Sequence, residues 1–257
     1  MTELEKKGLD QQGFIVLEGF MSRDLLEGLR RRVAELFAEE GEKAGSEFKQ
    51  EPHSPRLANL VNKGEIFERV IVMAEILERI GHVLGERFKL SSLNVRTADP
   101  LTGWVQPLHA DVGAIADEKG YWVANTVWML DDFTTDNGAL RTVPGSHRLR
   151  KLPQQALKDP SAPHSDEVLV TGKAGTVIVM NSHMWHGGTA NRTAKPRCAL
   201  HAFYARWDKP QQQYQKRLLA PALQTRLSPE LRQLLALDDP LNDRLCSEVT
   251  SQSGFLR

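Results

Sequence analysis

The chain has 257 residues, in which 33 Lys and Arg are balanced by 33 Asp and Glu; a chain without net charge lacks the field that gathers proteins on nucleic acid or anionic membranes, which leaves a small-molecule substrate as the expected partner. Two cysteines are too few for a disulfide framework or a cysteine-rich zinc site. No apolar stretch approaches a membrane span, and the polar start MTELEKKGLDQQG lacks a signal-peptide core, so a reducing cytoplasmic setting is expected.

Gly13 to Phe20 is apolar enough for a short strand, and Ser22 after it is an acceptable N-cap. The spacing of Leu25, Leu26, Leu29, Val33, Leu36 and Phe37 then predicts a helix that covers a sheet. Phe48 to Asn62, carrying His53, Arg56 and Asn59, and Asp111 to Tyr121 are the two loops best placed to select a small-molecule partner, although a surface connection is the preferred account of any one of their side chains. Ile66 to Leu84 has Phe67, Val70, Ile71, Ala74, Leu77, Ile80 and Leu84 at helical spacing and stops at Gly85, which predicts one amphipathic helix with a core-facing stripe. Strands follow at about 88–97, 105–111, 121–131, 139–143, 166–170, 175–181, 185–190 and 196–206, separated by Gly, Pro and Asn turns. Short strands in this number predict a mainly β fold with flanking helices, a double-stranded β-helix of the jelly-roll, cupin-like kind. From Lys209 helical signals return, with Ser228 as a cap and Pro229 at the first helical position, and this region is expected to pack outside the barrel. One domain can reach this length. It would comprise residues 1–257, with a helical N-terminal region over 1–87, a jelly-roll core over 88–207 and a helical extension over 208–257.

Chemistry concentrates in the strand region. In Leu108-His109-Ala110-Asp111 the alternation of side chains across a strand would turn His109 and Asp111 to one side and Ala110 to the other. A histidine pair partner must come from another strand, and the run Gly175 to Met180 leads into a segment with both His183 and His186. Two imidazoles and one carboxylate on one face of a metal make the facial triad of non-haem Fe(II) oxygenases. A lone His-x-Asp is cheap, as His164-Ser165-Asp166 in a polar stretch after Pro163 illustrates; that second copy is expected to be loop.

The ordered set His109-Ala110-Asp111, Asp136 to Leu140, Pro144-Gly145-Ser146-His147-Arg148, and Trp185-His186 through Asn191 to Arg197 resembles the phytanoyl-CoA dioxygenase family of Fe(II)- and 2-oxoglutarate-dependent oxygenases, from Gly13 to about Trp207. The resemblance implies His109, Asp111 and His186 as metal ligands, because the family places its distal histidine before two small residues, here Gly187 and Gly188. His183 is then a loop or strand-end histidine bonded to backbone, and His147 a structural turn residue. It also implies Arg197 as the partner of the far carboxylate of 2-oxoglutarate, since a guanidinium meets a carboxylate through two parallel bonds. The strand opened by Arg197 is expected to pair back with the strand carrying His186, and Arg192, inside the turn, is the poorer candidate. Gln106 stands where some relatives contact the cosubstrate; strict alternation would turn it away from His109, but Pro107 cannot donate to a ladder and can accompany a bulge. Leu140 and Gly188 occupy positions where other relatives have threonine and serine, so bonds to the cosubstrate would come from other groups such as Asn125 or Thr126. Arg148, Arg150 and Lys151 could meet phosphates of a CoA ester, but a solvated basic loop is the preferred account.

The function implied is oxidation, in the first instance hydroxylation, of a small organic substrate by an enzyme using Fe(II), 2-oxoglutarate and dioxygen and releasing succinate and CO2. The alternative from another class is a jelly-roll that binds a ligand without turnover or carries a structural metal. Halogenation is disfavoured because Asp111 is retained where a halogenase needs a small residue.

Overall fold

The computed structural model describes residues 1–248; the end of the expected C-terminal extension, 249–257, lies outside the described residues. Strands form at β1 (Phe14–Leu17), β2 (Arg56–Leu57), β3 (Phe88–Ala98), β4 (Val123–Met129), β5 (Leu140–Thr142), β6 (Val168–Val170), β7 (Val177–Asn181), β8 (His186–Gly188) and β9 (Arg197–Arg206). They make a six-stranded sheet in the order β1-β7-β4-β9-β3-β2 and a three-stranded sheet in the order β6-β5-β8. Every pairing is antiparallel, as the jelly-roll expectation requires.

Period-2 alternation gives the large sheet two different faces. Ala124 and Trp128 of β4, Leu200, Ala202 and Tyr204 of β9, and Leu93 and Val95 of β3 join the main apolar cluster with the helices. Their neighbours point the other way: Val127, Met129, Ile178 and Met180 pack with Leu140 and Val170 of the small sheet. The helix Arg23–Glu40 lies on the outer face, capped by Ser22, whose hydroxyl accepts from the Leu25 N–H at 3.3 Å, and buries Leu25, Leu29, Val33 and Leu36. Each such side chain contributes about 1.5–3 kcal/mol by leaving water.

Three expectations need correction. The single helix over 66–84 is two, Glu65–Ile71 and Ala74–Leu84, with Val72 out of helical conformation at φ −104° and ψ 6°. The buried residues explain the break: Phe67, Val70 and Ile71 face the core, and then Ile76, Ile80 and Leu84 do, while Ala74 is exposed. Ile71 and Ile76 are out of phase for one helix of 3.6 residues per turn, and the break brings both stripes to the same core. The strand expected at 105–111 does not form; only an isolated bridge between His109 and His186 survives, because Pro107 has no N–H and Leu108 donates to Pro160 instead. Finally, β9 pairs with β3 and β4, whereas β8 pairs with β5, so Arg197 and His186 stand in different sheets. From the region after Lys209, Leu219, Leu227, Leu234, Leu235 and Leu237 join the main apolar cluster.

Candidate active site

His109 reaches the site through its bridge to β8, with its N–H donating to the His186 carbonyl at 2.9 Å and the reverse bond at 3.0 Å. Asp111 follows in a turn, anchored by its own N–H on the Ser182 carbonyl at 2.9 Å. One ligand atom from each of His109, Asp111 and His186 lies within 4.8 Å of the others. Asp111 Oδ1 is 3.7 Å from His109 Nε2 and 3.6 Å from His186 Nε2.

Backbone contacts set the imidazoles. Nδ1 of His109 donates to the Pro107 carbonyl at 3.0 Å and Nδ1 of His186 to the Met184 carbonyl at 2.7 Å. A carbonyl can only accept, so in both rings Nδ1 carries a proton and Nε2 is the atom turned toward Asp111, the orientation that metal-binding histidines take from such outer partners. Asn125 Nδ2 donates to Asp111 Oδ2 at 3.2 Å and leaves Oδ1 toward the histidines. Burial alone would raise the Asp111 carboxyl, but His186 and His109 beside it outweigh that and hold it well below the usual carboxylate range. Burial, followed by the charge of His186, lowers the His109 imidazole. Three donor atoms in this state fit a divalent cation of the nitrogen- and oxygen-binding kind.

Gln106 is brought to the same side as His109. Its N–H bonds to the Gly188 carbonyl at 2.9 Å while His109 faces His186, so the segment from Gln106 to His109 carries one residue more than the strand it faces. This bulge reverses the alternation. The Gln106 side chain accepts from the Gly188 N–H at 3.2 Å and donates to Glu51 at 3.3 Å.

Arg197 is 9 % exposed. Nη2 donates to the Gly138 carbonyl at 2.5 Å, and the guanidinium lies 4.2 Å from the Phe133 ring centroid. Its Nε has no partner, and among the described residues no carboxylate pairs with it. Burial lowers it to about 10, which still leaves it protonated at neutral pH. A buried cation without a counter-ion is costly. Arg192, the rival, is exposed.

Two adjoining pockets, an inner and an outer lobe that share part of their lining, hold these groups. The inner lobe holds Arg197, Leu140, Gly188, Val127 and Phe133; the outer lobe, about 520 Å³, holds His109, Asp111, Asn125, Phe48, Glu51 and Arg56. Arg96, Trp104, Gln106 and His201 line both. Leu140 and Gly188 thus sit beside Arg197, as their positions in the motif implied, whereas Thr126 does not: its hydroxyl bonds the Ala202 carbonyl and accepts from Trp128 Nε1, on the helix side of the sheet. Asn125 faces the cavity.

Several cavity residues carry no signal in the sequence. Arg56 was expected on a surface connection and is instead 3 % exposed against Phe48, while Glu51, Arg96 and His201 belong to no motif. His201 could have been found, since it lies at the same alternation phase as Arg197 on one strand. Burial, with the charges of Arg96 and Arg197, holds its imidazole neutral, well below the ordinary histidine range. His183 stands apart from the triad and accepts from the Trp122 N–H at 3.0 Å, and His147 Nε2 donates to the Asp10 carbonyl at 3.1 Å. His164 and Asp166 lie in a turn. Arg148, Arg150 and Lys151 are exposed and line neither lobe.

An antiparallel double-stranded β-helix with two histidines and an aspartate converging at a cavity defines the class of cupin-like non-haem oxygenases. The phytanoyl-CoA dioxygenase (PhyH) profile matches residues 9–199. This chain belongs to that family, and with it to the iron- and 2-oxoglutarate-dependent dioxygenases. Dioxygenase af480 of Aspergillus fumigatus is 26% identical over 246 residues, which cover 89% of this chain and 75% of that one. The crystal structure of EctD from S. alaskensis with bound Fe superposes with a TM-score of 0.67 at 22% identity, over 80% of this chain and 77% of that chain. HygX from Streptomyces hygroscopicus, solved with nickel and 2-oxoglutarate bound, gives 0.64 at 17% identity, over 82% and 89%. Among the described residues no helix is long and apolar enough to cross a membrane.

Proposed function

We propose that the protein hydroxylates a small organic substrate, with Fe(II) held by His109, Asp111 and His186 and the far carboxylate of 2-oxoglutarate held by Arg197. The observation that carries this reading is the buried Arg197, whose Nε lacks a partner, in an inner lobe that shares lining residues with the outer lobe bearing His109 and Asp111. A dicarboxylate supplies what Arg197 lacks, and a planar guanidinium takes it through two bonds. When bound, iron and 2-oxoglutarate supply the oxidant from dioxygen, with succinate and CO2 released.

The chain's own residues orient and enclose. The two backbone carbonyls hold the imidazoles, Asn125 holds Asp111, and Phe133 and Leu140 keep water from the Arg197 guanidinium. Gln106 lines both lobes, so a cosubstrate reaching from Arg197 to the triad would meet it. The outer lobe falls within the usual range for small-molecule sites, roughly 300–1,000 Å³. Family membership disfavours a ligand-binding protein without turnover, and Asp111 in the triad disfavours halogenation. We also take residues 1–257 as one oxygenase domain, because a single apolar cluster joins residues from Leu9 to Leu237.

Titrating 2-oxoglutarate into anaerobic Fe(II) protein tests the assignment. Arg197→Ala should bind iron like the wild type but lose about 2–5 kcal/mol for 2-oxoglutarate, the range for truncating one member of a buried charged pair, at least roughly a tenfold rise in Kd. Arg197→Lys should recover some of it, because a point charge lacks the planar fork. Exposed Arg192→Ala should change little. Unchanged 2-oxoglutarate affinity in Arg197→Ala would remove the assignment.

A further inference from the structure

Arg56 and Arg96 stand directly opposite each other in the β2–β3 register, and both line the outer lobe beside His109 and Asp111. Like charges in opposed strand positions repel. The pair is also poor in partners: Arg56 lies 4.7 Å over the Phe48 ring, is almost fully buried, and has an unpartnered Nε. Among the described residues one carboxylate meets them. Glu51 Oε2 accepts from Arg96 Nη2, and Glu51 Oε1 lies 3.5 Å from Arg56 Nη2. That carboxylate belongs to no strand or helix but to the segment between Phe48 and β2, and Gln106 is its further donor, at 3.3 Å.

Two opposed guanidiniums share one bonded carboxylate, and the further negative charge acting on both is Asp111, which a metal in the triad would claim, so the group keeps positive charge beside the triad. The far carboxylate of 2-oxoglutarate is already assigned to Arg197 in the inner lobe, which Arg96 lines as well but Arg56 does not. We propose that Arg56 and Arg96 form a second carboxylate site, which binds and orients the substrate, and that Glu51 is its internal occupant until the substrate's carboxylate displaces it. The substrate is then a small organic acid. This inference rests on the outer lobe being the substrate chamber of the proposed oxygenase. The exchange replaces one carboxylate with another on the same donors, so wild-type affinity is modest; discrimination against neutral and cationic analogues is strong, because neither can take the place of Glu51 on two guanidiniums.

The probe is 4-fluorobenzoate, followed by fluorine NMR on anaerobic Fe(II) protein saturated with 2-oxoglutarate so that Arg197 is occupied, with 4-fluorobenzamide and 4-fluorobenzylamine beside it. The benzoate should bind, and Glu51→Gln should tighten it by about fivefold or more, because removing the internal competitor raises the fraction of open sites. In the Glu51→Gln background, Arg56→Gln or Arg96→Gln should weaken it by roughly tenfold or more. Arg56→Lys and Arg96→Lys, which keep the charge, should weaken it less and guard against misfolding of the neutral variants. Equal binding of amide and benzoate, preference for the amine, benzoate affinity indifferent to both arginines, or no benzoate binding by Glu51→Gln would each overturn the proposal. Iron and 2-oxoglutarate titrations of the same samples report separately on the underlying active-site assignment.

Discussion

His183 and His186 have the same chemistry and lie in one short segment, yet their surroundings give them different work. Nε2 of His183 is used up by the Trp122 N–H, whereas Nε2 of His186 is 3.6 Å from Asp111 with its ring held from behind by Met184. Iron titration should therefore separate the variants: His109→Ala, Asp111→Ala and His186→Ala lose metal and turnover, while His183→Ala keeps iron affinity close to wild type. Metal loss by His183→Ala with retention by His186→Ala would reverse the distal assignment. Gln106 gives the opposite lesson. Strict alternation would have turned it away, and only the bulge over Pro107 and Leu108 brings it into the cavity.

At the scale of elements, the triad depends on an irregular segment resting on β8. Gly187 explains how the two approach so closely, since a Cβ there would lie 2.7 Å from the Gln106 carbonyl oxygen and 3.2 Å from that of Pro107. Backbone cannot give way as a flexible side chain would. Gly187→Ala should push residues 106–109 off β8, with a stability loss of about 1–3 kcal/mol as for other overpacked sites and weaker iron binding through His109. Gly188→Ala, whose Cβ meets nothing nearer than 3.9 Å, is the control for stability. Thermal unfolding and iron titration of the two variants decide it; equal stability would mean that the close approach carries no strain.

For the whole molecule, the buried neutral histidines couple stability to pH. Burial, followed by the neighbouring His147, lowers His183 to about 3, against an ordinary value of about 6.5 in the unfolded chain. Between these values the unfolded state binds the extra proton, so the contribution is full above about pH 6.5 and is lost as pH falls toward 3, at up to about 1.4 kcal/mol per pH unit. Urea unfolding between about pH 4.5 and 7.5 should show a shallower decline for His183→Asn than for the wild type. Parallel profiles would show that His183 is not the linked group.

What the sequence determined by itself was whatever is written in local order: the capped helix after Ser22, the alternating strands, the His-x-Asp pair, and the motif context that makes His186 and Arg197 candidates. Each of these depends on residues close in the chain, where period and spacing suffice. Tertiary structure decided the rest. Arg197 opens onto the pocket adjoining that of His109 and Asp111 from a strand of the large sheet, not by pairing with the strand of His186 as the short connection suggested. Arg56, Arg96 and Glu51 carry no motif and meet only because β2 pairs with β3 and the segment before it folds over the cavity. Likewise the break at Val72 follows from two apolar stripes having to face one core. Such placements depend on contacts between distant segments, whose register is set by the packing of both sheets at once, and no local pattern encodes them.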